Sequence, residues 1–252
     1  MSPDPLALLA VAAWCFAVAL AGGLAGLVLG NIRLPLVLLF ATSPAAGAGS
    51  NLGISAVAAT AASVGHLRAG RINWRLFAWM APPSVAGALV GSLIAGTIPD
   101  DALLAVIGLS LIYFGVDLLR PRRGEAPPPK PARLDLRAAV LSGAAIGLLG
   151  GLIGLILGAL RMPALLRYVG EEPARAVGTN LTVGLCVGVA GVIGHTPTGI
   201  DWDLLAVGAA ASIPGAVLGA RLTGRLSPAA LLRAIGAVLV LAGGAMLAQA
   251  LL

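Results

Sequence analysis

Long apolar runs separated by short charged gaps dominate this chain. The charge-free runs cover residues 5–32, 34–67, 76–99, 102–116, 138–160, 176–200, 204–220 and 234–252. A helix needs about 20 apolar residues to cross the hydrocarbon core of a bilayer. The run 34–67 is too long for one crossing, and Thr42-Ser43-Pro44 and Gly47–Ser50 interrupt it. The pattern therefore predicts an all-α polytopic membrane protein.

The composition supports this interpretation. Hydrophobic residues make up 59% of the 252 residues, charged residues make up 10%, and the mean hydropathy is +1.00. A soluble domain carries about 25% charged residues, so this chain cannot cover a water-facing surface of normal size. The composition excludes a disordered protein, a secreted disulfide scaffold and a soluble enzyme. The net charge is +6, but the cations lie in short gaps between apolar runs and no aromatic-basic patch is present. We therefore expect a lipid bilayer and no nucleic acid as partner.

A hydrophilic stretch divides the chain into two halves of similar length. Residues 120–137 contain six cations, two acids and the run Pro127–Pro129. We predict a first transmembrane repeat over residues 1–119, a basic, Pro-rich cytoplasmic linker over 120–137, and a second transmembrane repeat over 138–252.

The two halves match each other at an offset of 128 or 129 residues. The matching elements are Gly26–Pro35 with Gly154–Pro163, Ser50-Asn51 with Thr179-Asn180, His66 with His195, and Trp74 with Trp202. A random apolar chain would match Leu to Ala freely, but it would not match Arg, Asn, His and Trp in order. The pattern therefore indicates an internal duplication.

The charge of matching loops is reversed between the halves. Residues 68–75 carry three Arg, whereas the matching residues 195–203 carry two Asp and no cation. Conversely, the acidic pair 100–101 in the first half corresponds to the basic residues 221–225 in the second. Because Lys and Arg favour the cytoplasmic side, each half should cross the membrane an odd number of times. We predict two inverted repeats of about five membrane segments each, namely four full helices and one short segment broken by Gly and Pro.

The short segments should come from residues 6–46 and 138–175. The residues predicted to break helices there are Gly22, Gly23, Gly30, Pro35, Gly150, Gly151, Gly158 and Pro163. Paired, interrupted segments at matching positions point to the substrate site of a transporter. Close helix packing is the alternative role for glycine, and it better explains the pairs Gly87/Gly91 and Gly215/Gly219.

Arg33 and Arg161 are the sharpest candidates for substrate binding. Each lies two residues before a proline, with apolar sequence on both sides. A cation in a membrane span is costly, so it usually faces a cavity or reaches the interface. If the two side chains converge, they form a pair of guanidinium groups suited to an oxyanion. The alternative is that each side chain snorkels at a helix end.

Two further pairs of polar residues occupy matching positions. Ser50-Asn51 and Thr179-Asn180 each follow a glycine and precede an apolar helix, as N-cap residues do. Helix N-termini can hold anions, so these residues are predicted to complete the substrate site, with simple capping as the alternative. His66 and His195 end the following helices, where they could couple transport to protons or anchor the interface.

Other kinds of chemistry are not indicated. The sequence has no zinc-site spacing, no nucleophile with an adjacent base, no P-loop and no nucleotide fingerprint. Cys15 and Cys186 both lie inside apolar runs. We therefore expect no metal, no cofactor and no enzymatic activity, and transport should be passive or secondary.

The duplicated motifs resemble the TauE/SafE family of sulfite exporters, also called the 4-toluene sulfonate uptake permease family. The shared elements are the Gly-rich stretches that end at Pro35 and Pro163, the segment Gly178-Thr179-Asn180-Leu181, and the loop from His195 to Trp202. The resemblance covers nearly the whole chain. It implies a bacterial inner-membrane transporter of sulfite, organosulfonates or related sulfur anions.

This chain differs from that family in the Gly-rich stretches. A run of three glycines before the proline is usual, whereas a single Gly is present here in each half. Val28-Leu29 and Ile156-Leu157 take the other places, and Arg33 and Arg161 stand where apolar residues are usual. Bulkier walls with added cations favour a smaller or more strongly anionic substrate.

The sequence thus predicts a secondary carrier or facilitator that moves small sulfur oxyanions across the inner membrane by alternating access. An anion channel and a membrane scaffold or assembly protein without a solute are the alternatives. Whether copies of the chain associate into a homo-oligomer is left open by the sequence.

Overall fold

The computed structural model describes residues 5–93, 100–120, 134–153, 156–195 and 200–251. Within these ranges it has ten α-helices and no strand, so the all-α prediction is confirmed. The helices are α1 (Pro5–Ala25), α2 (Gly30–Phe40), α3 (Pro44–Arg68), α4 (Trp74–Leu93), α5 (Asp100–Leu119), α6 (Leu136–Ile153), α7 (Gly158–Ala164), α8 (Pro173–His195), α9 (Trp202–Thr223) and α10 (Pro228–Ala250). A π-helical turn, Leu165–Val169, extends α7.

The second helix of each half is short. Helix α2 has 11 residues and α7 has 7, whereas the other eight helices have 18 to 25. At 1.5 Å per residue, α2 is about 16 Å long and α7 about 10 Å, well below the ~30 Å of the hydrocarbon core. The described part of each half therefore contains four longer helices and one short helix.

Some of the glycines that were expected to interrupt helices lie inside them instead. Gly22 and Gly23 lie inside α1, and Gly150 and Gly151 lie inside α6. Glycine costs a helix only about 1 kcal/mol relative to alanine, which tertiary packing readily offsets. The break follows α1 at Gly26, whose φ of 75° is in the left-handed region that favours glycine. Its counterpart, Gly154, lies outside the described residues.

The remaining predicted breakers lie within the short helices. Gly30 and Gly158 are the first residues of α2 and α7, and Pro35 and Pro163 lie inside these helices. Pro35 has no N–H to donate to the carbonyl of Asn31, four residues earlier. The side-chain nitrogen of Gln249 on α10 donates to that carbonyl instead, at 3.0 Å.

The principal helix contacts join the two halves. Helix α1 packs along α9, and α6 packs along α4, so the first helix of each half lies against the fourth helix of the other. Helix α5 packs on α10, and α3 packs on α8. A Cβ at Gly215 or Gly219 would collide with backbone atoms of α1, and one at Gly87 or Gly91 with backbone atoms of α6. The packing explanation for these four glycines is confirmed.

Two ends of the helix bundle carry different charges. Arg71, in the loop between α3 and α4, donates to the carbonyl of Ala220 near the end of α9 at 2.9 Å. We call this the basic end. At the other end of α9, the carboxylate of Asp201 accepts from the backbone nitrogen of Thr42 at 3.3 Å, and we call this the acidic end. The 22 residues of α9 separate the two ends by about 33 Å.

In the described ranges, three helical segments are long and apolar enough to cross a membrane, namely Leu8–Ala25, Trp202–Thr223 and Pro228–Ala250. Shorter apolar helical stretches are Gly30–Phe40, Leu104–Leu119 and Leu136–Gly150.

Candidate functional site

Arg33 lies on α2, and its side chain is 2% exposed. Its Nε donates to the side-chain oxygen of Asn51 at 2.9 Å, and its Nη2 donates to the backbone carbonyl of Asn51 at 2.9 Å. The same Nη2 also donates to the hydroxyl of Ser55. Asn51 is itself held because its amide nitrogen donates to the carbonyl of Gly30 at 3.1 Å. All of these hydrogen-bond partners are neutral.

Arg161 occupies the matching place on α7, and its side chain is 1% exposed. Its Nη1 donates to the side-chain oxygen of Asn180 at 3.2 Å. Its buried Nε finds no hydrogen-bond partner among the described residues. The amide nitrogen of Asn180 lies 2.8 Å from the carbonyl of Gly158 and 2.6 Å from the carbonyl of Gly26. The sequence predicted one shared site for both Arg and both Asn, whereas the hydrogen bonds of the described residues form two contact clusters, one in each half.

Neither guanidinium group reaches the surface as a snorkelling side chain would. Each is hydrogen-bonded within its own half, to α3 in the first and to α8 in the second. In the part of the chain that the structure describes, the one ion pair is that of Asp117 with Arg167, so neither buried Arg has a carboxylate partner there. Two cations are thus enclosed by neutral groups.

Two small cavities lie beside the breaks in the chain. One of about 20 Å³ is bordered by Arg33, Ser55 and Val28. The other, of about 10 Å³, is lined by Val28 and Gly30 from the first half and by Ile156 and Leu157 from the second. The ends of α2 and α7 therefore approach each other at the second cavity. Each cavity has room for about one water molecule.

Ser50 and Thr179 are not N-caps, and that prediction was wrong. Helix α3 begins at Pro44, with the hydroxyl of Ser43 accepting from the nitrogen of Ala46 at 3.1 Å, and α8 begins at Pro173. Proline fits the first position of a helix, so both helices start well before the residues that we expected to cap them. The segment Gly47–Ser50, which we expected to interrupt the run, is helical.

Both hydroxyl groups bind the other half of the protein. The hydroxyl of Ser50 accepts from the backbone nitrogen of Asp201 at 2.9 Å, and that of Thr179 accepts from the backbone nitrogen of Asn73 at 2.9 Å. Asp201 and Asn73 hold matching positions, and their side chains cap α9 and α4 by accepting from backbone nitrogens three residues on. The sequence shows that Asn73-Trp74 matches Asp201-Trp202. It does not show that the backbone nitrogens of Asn73 and Asp201 bind hydroxyl groups of the other half.

His66 is buried near the basic end of α3. Its Nε2 lies 3.4 Å from the carbonyl oxygen of Gly23, and its Nδ1 lies 3.4 Å from Nη1 of Arg71. Burial lowers the pKa of Arg71 below its ordinary value. Trp74 is 54% exposed, so it suits an interfacial position better than His66 does. His195 is the last residue of α8, and its side chain lies outside the described residues. A proton-coupling role for either histidine stays a prediction.

Comparison with known proteins identifies the family. The family model described as sulfite exporter TauE/SafE matches residues 11–246. The chain belongs to the TauE/SafE family. The family prediction and the prediction of a membrane transporter are therefore confirmed.

Curated relatives of this TauE/SafE protein are named as probable membrane transporters. YjnA of Bacillus subtilis (strain 168) is 23% identical over 237 residues, which cover 88% of this chain and 92% of the relative. The protein y4hK of Sinorhizobium fredii is 28% identical over 240 residues, covering 91% and 93%. ORF9 of a Sinorhizobium species is 32% identical over 100 residues, covering 38% and 37%. No solved structure matches.

A larger cavity of about 620 Å³ opens at the basic end of this TauE/SafE transporter. Its charged lining residues are Asp117, Arg120, Arg167, Glu171 and Arg233, and its apolar walls include Leu118, Leu166 and Leu232. Asp117 pairs with Arg167, and Glu171 accepts from the side-chain nitrogen of Asn73. Three Arg against two carboxylates leave the lining with a net charge of +1, because Arg120 and Arg233 together outweigh Glu171. The sequence did not predict it, because its walls come from three separate stretches of the chain, within residues 117–120, 166–173 and 229–233.

Proposed function

We propose that this TauE/SafE transporter carries a small sulfur oxyanion, such as sulfite or an organosulfonate, across the cytoplasmic (inner) membrane by alternating access. The observation that carries this proposal is the burial of Arg33 and Arg161 among neutral partners. A buried cation without a counter-ion is costly, and a bound anion would supply the missing charge. A planar guanidinium group also matches the geometry of oxyanions. The sulfur chemistry follows from the family description.

In this proposal the polar residues around the two Arg have different roles. Asn51 and Asn180 orient the guanidinium groups. Their amide nitrogens donate to the carbonyls of Gly30 and Gly158, the first residues of α2 and α7. Ser50 and Thr179, which the sequence suggested as substrate ligands, instead hold the two halves together. The anion would bind between the clusters, near the approaching ends of α2 and α7.

We further propose that the halves are inverted repeats. The contact of α1 with α9 has its counterpart in the contact of α6 with α4, and the Ser50–Asp201 contact has its counterpart in the Thr179–Asn73 contact. Asp201 lies at the acidic end, whereas Asn73 follows the basic loop of Arg71. Because Arg favours the cytoplasmic side, the basic end and the linker 120–137 would face the cytoplasm.

Alternating access would then use the two contacts in turn. Both are formed in this structure, and the two small cavities, one of which is bordered by Arg33, hold about one water molecule each. That is the geometry expected of an occluded conformation. Breaking the Ser50–Asp201 contact would open the site to the outside, and breaking the Thr179–Asn73 contact would open it to the cytoplasm. The 620 Å³ cavity would be the inner entrance.

Solute counterflow in proteoliposomes tests the proposed function. Liposomes loaded with unlabelled sulfite should accumulate radiolabelled sulfite transiently, the rate should saturate, and organic sulfonates should compete. Liposomes without protein are the control. Non-saturating flux without counterflow would indicate a channel instead. No flux with sulfite or any sulfonate would contradict the proposal and favour a scaffold without a solute.

A further inference from the structure

The two arginine clusters differ in one respect that the duplication does not predict. Arg33 corresponds to Arg161, and Asn51 corresponds to Asn180. Ser55 in the first half, however, corresponds to Gly184 in the second. We propose that Arg161, rather than Arg33, makes the direct hydrogen bonds to the transported oxyanion, and that Arg33 is a positioning residue. This inference rests on the function proposed above.

The first cluster supplies acceptors to both nitrogens on the Nε side of the guanidinium group. Arg33 uses two of its three nitrogens on three acceptors, two of which Asn51 supplies and one of which is the hydroxyl of Ser55. The Ser55 hydroxyl in turn lies 2.8 Å from the Asn51 carbonyl. An anion that approached Nε and Nη2 of Arg33, the side that can bind two oxygens at once, would have to displace acceptors already in place, so the gain in free energy would be small.

The second cluster lacks acceptors. Among the described residues Arg161 has a single hydrogen bond, at 3.2 Å, although it is as deeply buried as Arg33. The amide nitrogen of Asn180 donates to the carbonyls of Gly26 and Gly158, which fixes its side-chain oxygen in a position that accepts from Nη1 and leaves Nε without a partner. A buried charged donor without an acceptor is strongly unfavourable, and an incoming oxyanion removes that penalty. Nε and a neighbouring Nη form the side of the guanidinium group that binds two oxygens at once.

Val28 packs against Gly184, the residue that takes the place of Ser55 in the second half. A Cβ built at Gly184 would lie 2.9 Å from Cγ2 of Val28, so the Val28 side chain takes the space that the Ser55 hydroxyl would need in the second half. Val28 also lines both small cavities. It belongs to the non-helical segment between α1 and α2, so a movement of that segment would connect the cavities with the Arg161 side.

Equilibrium binding of radiolabelled sulfite to the purified full-length protein in detergent tests this assignment. Arg161→Gln should weaken sulfite binding by about 30-fold or more, whereas Arg33→Gln should weaken it by less than about 10-fold. Equal losses, or a larger loss for Arg33→Gln, would overturn the inference and leave the proposed function standing. Unchanged binding in both variants would overturn both proposals.

Exchanging the residue types of Ser55 and Gly184 provides a second test, which keeps both Arg and applies if a glutamine variant fails to fold. In Gly184→Ser combined with Val28→Ala, Arg161 gains the hydroxyl that satisfies Arg33, and sulfite should bind at least about threefold more weakly than to Val28→Ala alone. Ser55→Gly should leave sulfite affinity within about twofold of the wild-type value. Tighter binding in the Gly184→Ser variant, or loss of binding in Ser55→Gly, would contradict the assignment. Thermal unfolding of each variant verifies that it is folded.

Discussion

The amide nitrogen of Asn180 lies 2.6 Å from the carbonyl oxygen of Gly26, although 154 residues separate them in the chain. Gly26 lies between α1 and α2, so its carbonyl belongs to a chain break and is bound by a side chain of α8. The same amide binds Gly158 at the start of α7. The side chain of Asn180 therefore binds the backbone next to the chain break of each half, and it also binds the buried Arg161.

Replacing Asn180 should destabilise the protein more than replacing its counterpart. Asn180→Leu removes partners from Gly26, Gly158 and Arg161, whereas Asn51→Leu removes partners from Gly30 and Arg33. Each unsatisfied buried group costs about 1–3 kcal/mol, so Asn180→Leu should be less stable than Asn51→Leu by about that amount. Denaturant unfolding in detergent measures the difference. An equal or smaller loss for Asn180→Leu would mean that the Gly26 contact contributes little.

The seam between α1 and α9 should not tolerate a methyl group. A Cβ on Gly219 would collide with the carbonyl oxygen of Leu20, whereas one on Gly244 of α10 meets no atom within 4 Å. Gly219→Ala should therefore cost about 1–3 kcal/mol, because overpacking forces the helices apart. Gly244→Ala is the matched control, and it should be neutral or stabilising because alanine favours helix. Thermal unfolding compares the two variants, and an equal effect in both would contradict the packing description.

The two contacts between the halves should control access from opposite sides of the membrane. Ala59 lines the 20 Å³ cavity, so Ala59→Cys in a chain without the native cysteines reports whether reagents reach the centre. Adding Ser50→Ala should raise labelling by a membrane-impermeant thiol reagent applied outside. Adding Thr179→Val should raise labelling from the cytoplasmic side. Increased labelling from the same side in both variants would contradict the inverted arrangement.

The cavity at the basic end should attract anions through its unpaired cations. Replacing Arg120 and Arg233 together with Gln should slow sulfite uptake into inside-out vesicles roughly threefold to tenfold at low salt. The difference should shrink near 1 M salt, where the Debye length is about 3 Å. Arg68→Gln combined with Arg225→Gln removes the same charge from residues that do not line the cavity, and it should have a smaller effect. An equal effect in both double variants would exclude this cavity as the entrance.

Much of the fold could be predicted because the duplication and the apolar runs are visible in the order of residues along the chain. The short second segment of each half followed from the Gly and Pro near Arg33 and Arg161. The matching Arg and Asn were predicted together as site residues, and each Arg is hydrogen-bonded to the Asn of its own half. These features need only spacing along one or two neighbouring helices.

Other features depend on contacts between distant segments, which spacing alone does not reveal. Gly23 looks like a helix breaker, yet it lies inside α1, where a Cβ would meet the carbonyl oxygen of Ala216. Ser50 looks like an N-cap, yet its hydroxyl holds the backbone of Asp201 from the other half. The difference between Ser55 and Gly184 is visible in the sequence, but its effect on the two arginines depends on where their side chains lie.

Equilibrium binding of radiolabelled sulfite to the double variant Arg33→Gln/Arg161→Gln shows whether the two buried Arg clusters form the binding site of a sulfur oxyanion. Arg68→Gln, which removes one surface charge, is the control. We expect saturable sulfite binding to the wild-type protein and to Arg68→Gln, and none to the folded double variant. Undiminished sulfite binding by the double variant would contradict this proposal.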